Sequence, residues 1–190
     1  MTAITSRPTR LLGVLAIAAF GAALSGCDVS DGTDTNPDET TAQDADALST
    51  NEHTAFSFFV AKGLTKRQAA GIVGNLIQES SVNPKAVEFG GGPGRGIAQW
   101  SVGGRWNHDF HDNVSWYAAA HGQSPWSLSL QLNFVWYELT HFSGYGLNAL
   151  KDSTTIAGAT IAFEERFEGC GTCDQSKRIQ YADQVYNAFH

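Results

Sequence analysis

The chain has 190 residues, 12 Lys plus Arg against 19 Asp plus Glu, 42% apolar residues and three Cys, which excludes a disordered chain and a small disulfide scaffold and suits one soluble domain. Residues 28–50 carry seven acids and no base, whereas residues 51–190 carry ten bases and twelve acids, so the domain itself is near neutral at −2. A near-neutral domain offers no basic stripe to neutralise phosphates, and no nucleic acid is expected as partner.

The first 26 residues read as a targeting segment. Arg7 and Arg10 precede the apolar run Leu11 to Leu24, which is short for a membrane span and is followed by small residues, the pattern of a secretory signal peptide. Leu24-Ser25-Gly26-Cys27 resembles the lipobox of bacterial lipoproteins. That resemblance implies cleavage before Cys27 and lipidation of its sulfur, so the expected product is a membrane-anchored envelope protein facing the periplasm or the cell surface. Residues 27–50 then form the lipidated Cys and an acidic linker. Asp28 to Thr50 has Val29 and Leu48 as its only larger apolar side chains, too few to offset ordering, and its acids repel one another and extend it.

From residue 51 the composition changes: all five Trp and every Phe except Phe20 follow. Ala55 to Lys62 predicts a short helix ended by Gly63. Thr65 with Gln68 forms a capping box for a second helix with the apolar set Ala69, Ile72, Val73, Leu76 and Ile77, which must stop before Asn83-Pro84. Gly96 to Ser101 is the best strand signal. Ser124-Pro125 predicts the start of a long helix through Leu139. Thr154 to Phe167 predicts another, and Asp174 the cap of a last helix with Ile179, Ala182, Val185, Tyr186 and Phe189 on its apolar face. The expected class is mostly α with a small β-hairpin.

Several chemistries find no support. The glycine run Gly90, Gly91, Gly92 and Gly94 lacks the Lys and Ser or Thr of a phosphate loop, and no Ser stands in a nucleophile elbow. His108, Asp109, His111 and Asp112 read as polar surface rather than a metal site, so neither metal nor cofactor is expected. Cys170-Gly171-Thr172-Cys173 joins two helices in an exported chain, which favours a structural disulfide between Cys170 and Cys173 over a redox site. Glu79 stands out. It ends the second helix beside the buried stripe, where the helix dipole and partial burial both favour a protonated carboxyl, the state a general acid needs.

Gly63-Leu64-Thr65, Ala69 to Leu76, Gln78-Glu79-Ser80, Asn83-Pro84 and Gly96-Ile97-Ala98-Gln99-Trp100 together resemble the phage tail lysozyme family of the lysozyme-like superfamily. Gln131 to Leu139, Thr154-Thr155, Phe163-Glu164 through Phe167-Glu168, and Arg178 to Tyr186 agree in order, so the resemblance covers about residues 51–190. Its Glu-Ser and Gly-x-x-Gln pair is shared with goose-type lysozymes and lytic transglycosylases. The resemblance implies a two-lobed helical fold with a substrate groove, and cleavage of the β-1,4 bond between N-acetylmuramic acid and N-acetylglucosamine in peptidoglycan. Carried over by residue, Glu79 matches the catalytic acid and Gln99 a groove residue that contacts sugar. Beside these, Trp100, Trp106 and Tyr145 are candidates to stack on sugar faces, and Arg95 is a polar contact on the glycine-rich segment.

The second carboxylate stays open, with Glu88, Asp109, Asp112 and Glu138 as candidates. Glu138, in an apolar stretch, is either a groove residue or a buried brace. Without a second carboxylate in reach, a transglycosylase that forms anhydro-muramoyl ends becomes the alternative to a hydrolase. A non-catalytic peptidoglycan-binding lipoprotein and a protein-docking platform are further alternatives. A monomer is expected.

Overall fold

The computed structural model describes residues 48–108, 111–170 and 174–190. The expected signal segment, Cys27, nearly all of the linker, Asp109 and Cys173 lie outside them.

Among the described residues the chain forms seven α-helices and one two-stranded hairpin. Helix α1, Thr50–Ala61, starts earlier than its apolar residues suggest. The reason is a capping box: Ser49 Oγ accepts from Glu52 N–H at 3.4 Å, and the Glu52 carboxylate accepts the Ser49 N–H. Its Phe59 is fully buried, worth roughly 2–3 kcal/mol in apolar burial.

Helix α2, Lys66–Ser80, is the axis of the domain. Its predicted capping box is present, with Thr65 N–H donating to Gln68 Oε1 at 2.9 Å and Gln68 N–H to Thr65 Oγ1 at 3.3 Å. Every residue from Gln68 to Ile77 is buried. Two glycines permit this closeness. A Cβ on Gly71 would lie 2.7 Å from Ala159 Cβ on α6 (Ile156–Phe163), and one on Gly74 would lie 2.6 Å from the Arg178 carbonyl on α7 (Gln175–Phe189). The helix ends where Ser81 and Val82 turn left-handed, at φ 52° and 51°. That conformation is strained for a β-branched residue and is held by the complete burial of Val82.

The hairpin pairs β1, Gly94–Arg95, antiparallel to β2, Trp100–Ser101. The predicted strand over 96–101 is therefore mostly turn. Gly96 and Gln99 take positive φ, +70° and 47°, and Ile97 is drawn into the core with its N–H donating to Gln131 Oε1 at 2.9 Å. Helices α3 (Val114–Ala120), α4 (Leu128–His141) and α5 (Leu147–Asp152) follow. Helix α4 is capped by Ser127 rather than Ser124: the Ser127 Oγ accepts from Leu130 N–H at 3.2 Å, while the Pro125 carbonyl accepts from the Gln131 amide at 2.7 Å.

The stretch predicted as one helix to Phe167 splits. Helix α6 ends at Phe163 and continues as a π-turn, Glu164–Glu168, so the side chains beyond it leave the 3.6-residue phase. Asp174 stands at the N-cap of α7 as expected, its carbonyl accepting from Lys177 and Arg178 N–H, but its side chain makes no cap bond. Its own φ is 51°, and its carboxylate accepts from Gln78 Nε2 at 3.3 Å instead.

Candidate active site

Glu79 lies in the last turn of α2, which Ser81 terminates. Two cavities, of about 580 and 490 Å³, share Glu79 and Gln99 and so form one groove meeting at these residues. The larger half is walled by the loop after β2, the π-turn and the start of α7, through Arg105, Glu168, Cys170 and Arg178. The smaller half runs along Val87, Glu88 and Phe89.

The Glu79 side chain retains 20% exposure, and its Oε1 accepts from Arg178 Nη2 at 2.6 Å. Arg178 is itself buried and donates from Nη1 to Asn75 Oδ1 at 3.1 Å. Asn75 is held in turn by its amide, which donates to the Gly71 and Thr160 carbonyls at 2.8 and 3.1 Å. Helices α2, α6 and α7 therefore fix one guanidinium against the candidate acid. The sequence reading did not single out Arg178. The available signal was its position four residues before Ala182 and seven before Val185, a cation on the buried stripe of α7 that requires a partner.

Glu168 was also missed. It lines the larger cavity, and its Oε1 is buried with no hydrogen-bond partner. Burial, reinforced by the nearby charge of Glu79, pushes its carboxyl up to about 8, against the pull of Arg105 and Arg178. Helical spacing could not locate it, because the π-turn shifts the phase by which it faces the groove.

Other expectations are corrected by the structure. Trp100 lines the larger half as expected, but it is 1% exposed, donates from Nε1 to Glu138 Oε2 at 3.0 Å and packs edge-on against Phe134, so its ring is not open for a sugar to stack on. Trp106 is likewise buried, against Trp126. Tyr145 packs on Phe142 and Phe167 beneath the Arg105 guanidinium, behind the wall of the larger half rather than on its surface. Arg95 folds back onto its own hairpin, donating to the Gly92 and Gly94 carbonyls at 2.6 and 2.7 Å.

Glu138 is 1% exposed and is a brace, not a groove residue. Its two oxygens accept three N–H groups, from Trp100 and from Arg105 Nε and Nη2 at 2.7 and 2.8 Å. Burial pushes its carboxyl upward while Arg105 and Trp100 oppose that shift. Arg105 remains a cation. Burial works against its charge, but its bonds to Glu138 outweigh that and the guanidinium is shifted upward.

Gln99 does face the groove, held at positive φ with its Nε2 donating to the Gly96 carbonyl at 2.9 Å. Of the candidate second carboxylates, Glu88 lines the smaller cavity and accepts from Gly94 N–H at 2.9 Å. Asp112 is engaged by the Tyr137 hydroxyl at 2.5 Å and lines neither half. Phe89, unforeseen in the sequence, is fully exposed at the rim of the smaller half. Cys170 lies on the wall, with Cys173 outside the described residues.

A hairpin beside the end of a buried central helix, with a Glu there facing Gly-x-x-Gln across a groove, is the arrangement expected of a lysozyme-like domain. The model of the phage tail lysozyme family matches residues 50–189. The chain belongs to that family. Comparison with curated proteins gives no match. Membership in the phage tail lysozyme family supports a peptidoglycan-degrading enzyme, and the mostly helical fold with its small hairpin agrees with it.

Proposed function

We propose that this member of the phage tail lysozyme family cleaves the β-1,4 bond between N-acetylmuramic acid and N-acetylglucosamine, with Glu79 as general acid. The observation that carries this reading is the position of Glu79 where the two halves of the groove meet, with Arg178 2.6 Å from its carboxylate. A glycan lying along both halves passes its glycosidic oxygen by Glu79. When Glu79 gives up its proton to that oxygen, the Arg178 guanidinium stabilises the carboxylate left behind, so the developing charge is met by a donor already in place. Gln99 contacts the sugars, and the exposed Phe89 ring offers an apolar face to one of them.

We further propose that Cys27 carries the lipid that tethers the domain to the bacterial envelope, and that Cys170 and Cys173 form a disulfide bracing the π-turn before α7. The acidic linker would set the working distance of the groove from the membrane. Incubating the purified chain and its Glu79→Gln variant with peptidoglycan, and reading the soluble products by mass spectrometry, tests the activity. Muropeptides with free reducing ends from the wild type alone support a hydrolase, whereas anhydro-muramoyl ends assign a lytic transglycosylase. No product from either protein would sink the enzyme reading and leave a wall binder.

A further inference from the structure

Three carboxyls and two guanidiniums gather around the larger half of the groove. Arg105 is committed to Glu138, whose two oxygens accept three N–H groups, bonds that favour its charged form. Arg178 is committed to Glu79 and Asn75. Glu168 is the carboxyl left over. Glu164, at the other end of the π-turn and fully buried, is a fourth carboxyl that burial pushes upward, and it adds no compensating charge. With carboxyls outnumbering cations around partly buried groups, the cluster is most stable when it keeps a proton.

We propose that Glu168 holds, in the cavity it lines together with Glu79, the proton that Glu79 delivers to the glycosidic oxygen. This rests on the reading of Glu79 as the acid. Glu79 is ion-paired to Arg178 and lies where the two halves of the groove meet, in reach of a glycan. Glu168 has a buried oxygen without a partner in the same cavity, which suits it to store a proton. Glu168 is thus a positioning residue that acts through Glu79. The proton moves from Glu168 to Glu79 and then to the glycosidic oxygen, while the bond from that oxygen to C1 breaks and the oxygen keeps the electron pair. The hydroxyl group that next adds to C1, from water or from the sugar itself, releases one proton. That proton restores the pair to its starting state, so the cycle needs no other reactant.

The groups facing Glu168 are Glu79 from α2, Arg105 from the loop after β2, Glu138 from α4 and Arg178 from α7. A proton held on Glu168 beside them is released at higher pH than from an exposed carboxyl. The full chain, in mild detergent, is examined as wild type, Glu168→Gln and Glu79→Gln. Infrared titration without substrate reads the protonated-carboxyl band, and kcat/KM for peptidoglycan solubilisation is followed against pH. The expected result is a component of the carboxyl band at pH 7 that disappears near pH 8 in the wild type and is missing from Glu168→Gln. In Glu79→Gln the same band should disappear at lower pH. The alkaline limb of kcat/KM should move down by about one pH unit or more in Glu168→Gln, giving roughly a tenfold loss at pH 7 that shrinks on acidification.

Absence of the Glu168-dependent band at pH 7 overturns the proposal while leaving wall cleavage intact. A Glu168→Gln loss of the same size at every pH also overturns it, because a purely structural role would behave so. Wild-type protein that solubilises no peptidoglycan at any pH overturns the activity itself and, with it, any catalytic use of the proton. Should Glu168→Gln fail to give a wild-type thermal transition, Glu168→Asp replaces it. Asp keeps a titratable carboxyl, so it must retain a band and an alkaline limb nearer the wild type, and the opposite result counts against the proposal.

Discussion

Arg178 donates from Nη2 to Glu79 Oε1 at 2.6 Å across a separation of 99 residues in the chain, and the guanidinium is more deeply buried than the carboxylate it serves. Replacing Arg178 with Met leaves Glu79 and Asn75 Oδ1 without their donor. Lytic kcat should fall about a hundredfold, the effect of removing one preorganised donor, and unfolding free energy by on the order of 3 kcal/mol. Urea denaturation with product release assays on the same preparation checks both. Near-wild-type kcat in Arg178→Met would remove the guanidinium from the mechanism.

The approach of α7 to α2 sets that contact. A methyl group on Gly74 would meet the Arg178 carbonyl at 2.6 Å and Ala182 N at 2.7 Å, both backbone atoms that cannot swing aside. Gly74→Ala should destabilise the domain by about 1–3 kcal/mol by overpacking and lower lysis by displacing Arg178. A melting temperature equal to the wild type would show that the helices are free to part.

Glu138 is expected to behave as a brace. Glu138→Gln takes the counter-charge from the buried Arg105 and should lower stability by about 3 kcal/mol in a denaturant titration. Its lytic rate per folded molecule, measured in the acid range, should stay within about tenfold of wild type, whereas loss of a water-activating base would cost 10²–10⁴-fold.

Phe89 is fully exposed, so Phe89→Ala should leave the melting temperature unchanged. If its ring stacks on sugar, KM for soluble glycan fragments should rise roughly twofold to tenfold with kcat held, since such contacts are worth about 0.5–1.5 kcal/mol. An unchanged KM would take Phe89 out of the groove's binding surface.

Stability should also report on Glu168. Its carboxyl lies at about 8 in the folded chain against an ordinary 4.5, so the folded state binds more protons than the unfolded state between those values. The slope of unfolding free energy with pH is then negative: the contribution is complete below about 4.5, declines as pH rises and is gone above about 8. Thermal melts from pH 4 to pH 9 should show this decline, with a shallower one in Glu168→Gln. An identical slope in both proteins would contradict it.

Local signals in the chain determined the helical class, the capping box at Thr65 and Gln68, the apolar stripe of α2 and the candidacy of Glu79 at its end. Each depends on neighbours within one or two helical turns, which sequence displays directly. The same local reading misplaced the start of α4 by a few residues, because Ser124 and Ser127 are both competent caps and only Gln131, bonded to the Pro84 and Pro125 carbonyls, decides between them. It also read Tyr145, Arg95 and Glu138 as groove residues and the Trp100 ring as a platform for sugar. An aromatic ring or a charge carries no mark of which side of a wall it will face. Tertiary structure alone decided that Arg178 meets Glu79, that Arg105 neutralises Glu138, and that a π-turn leaves Glu168 in the groove with no counter-ion of its own. The physical reason is that pairing of buried charge is a property of the whole enclosure, set by helices packed from distant parts of the chain, while helix formation and capping are settled within a few residues.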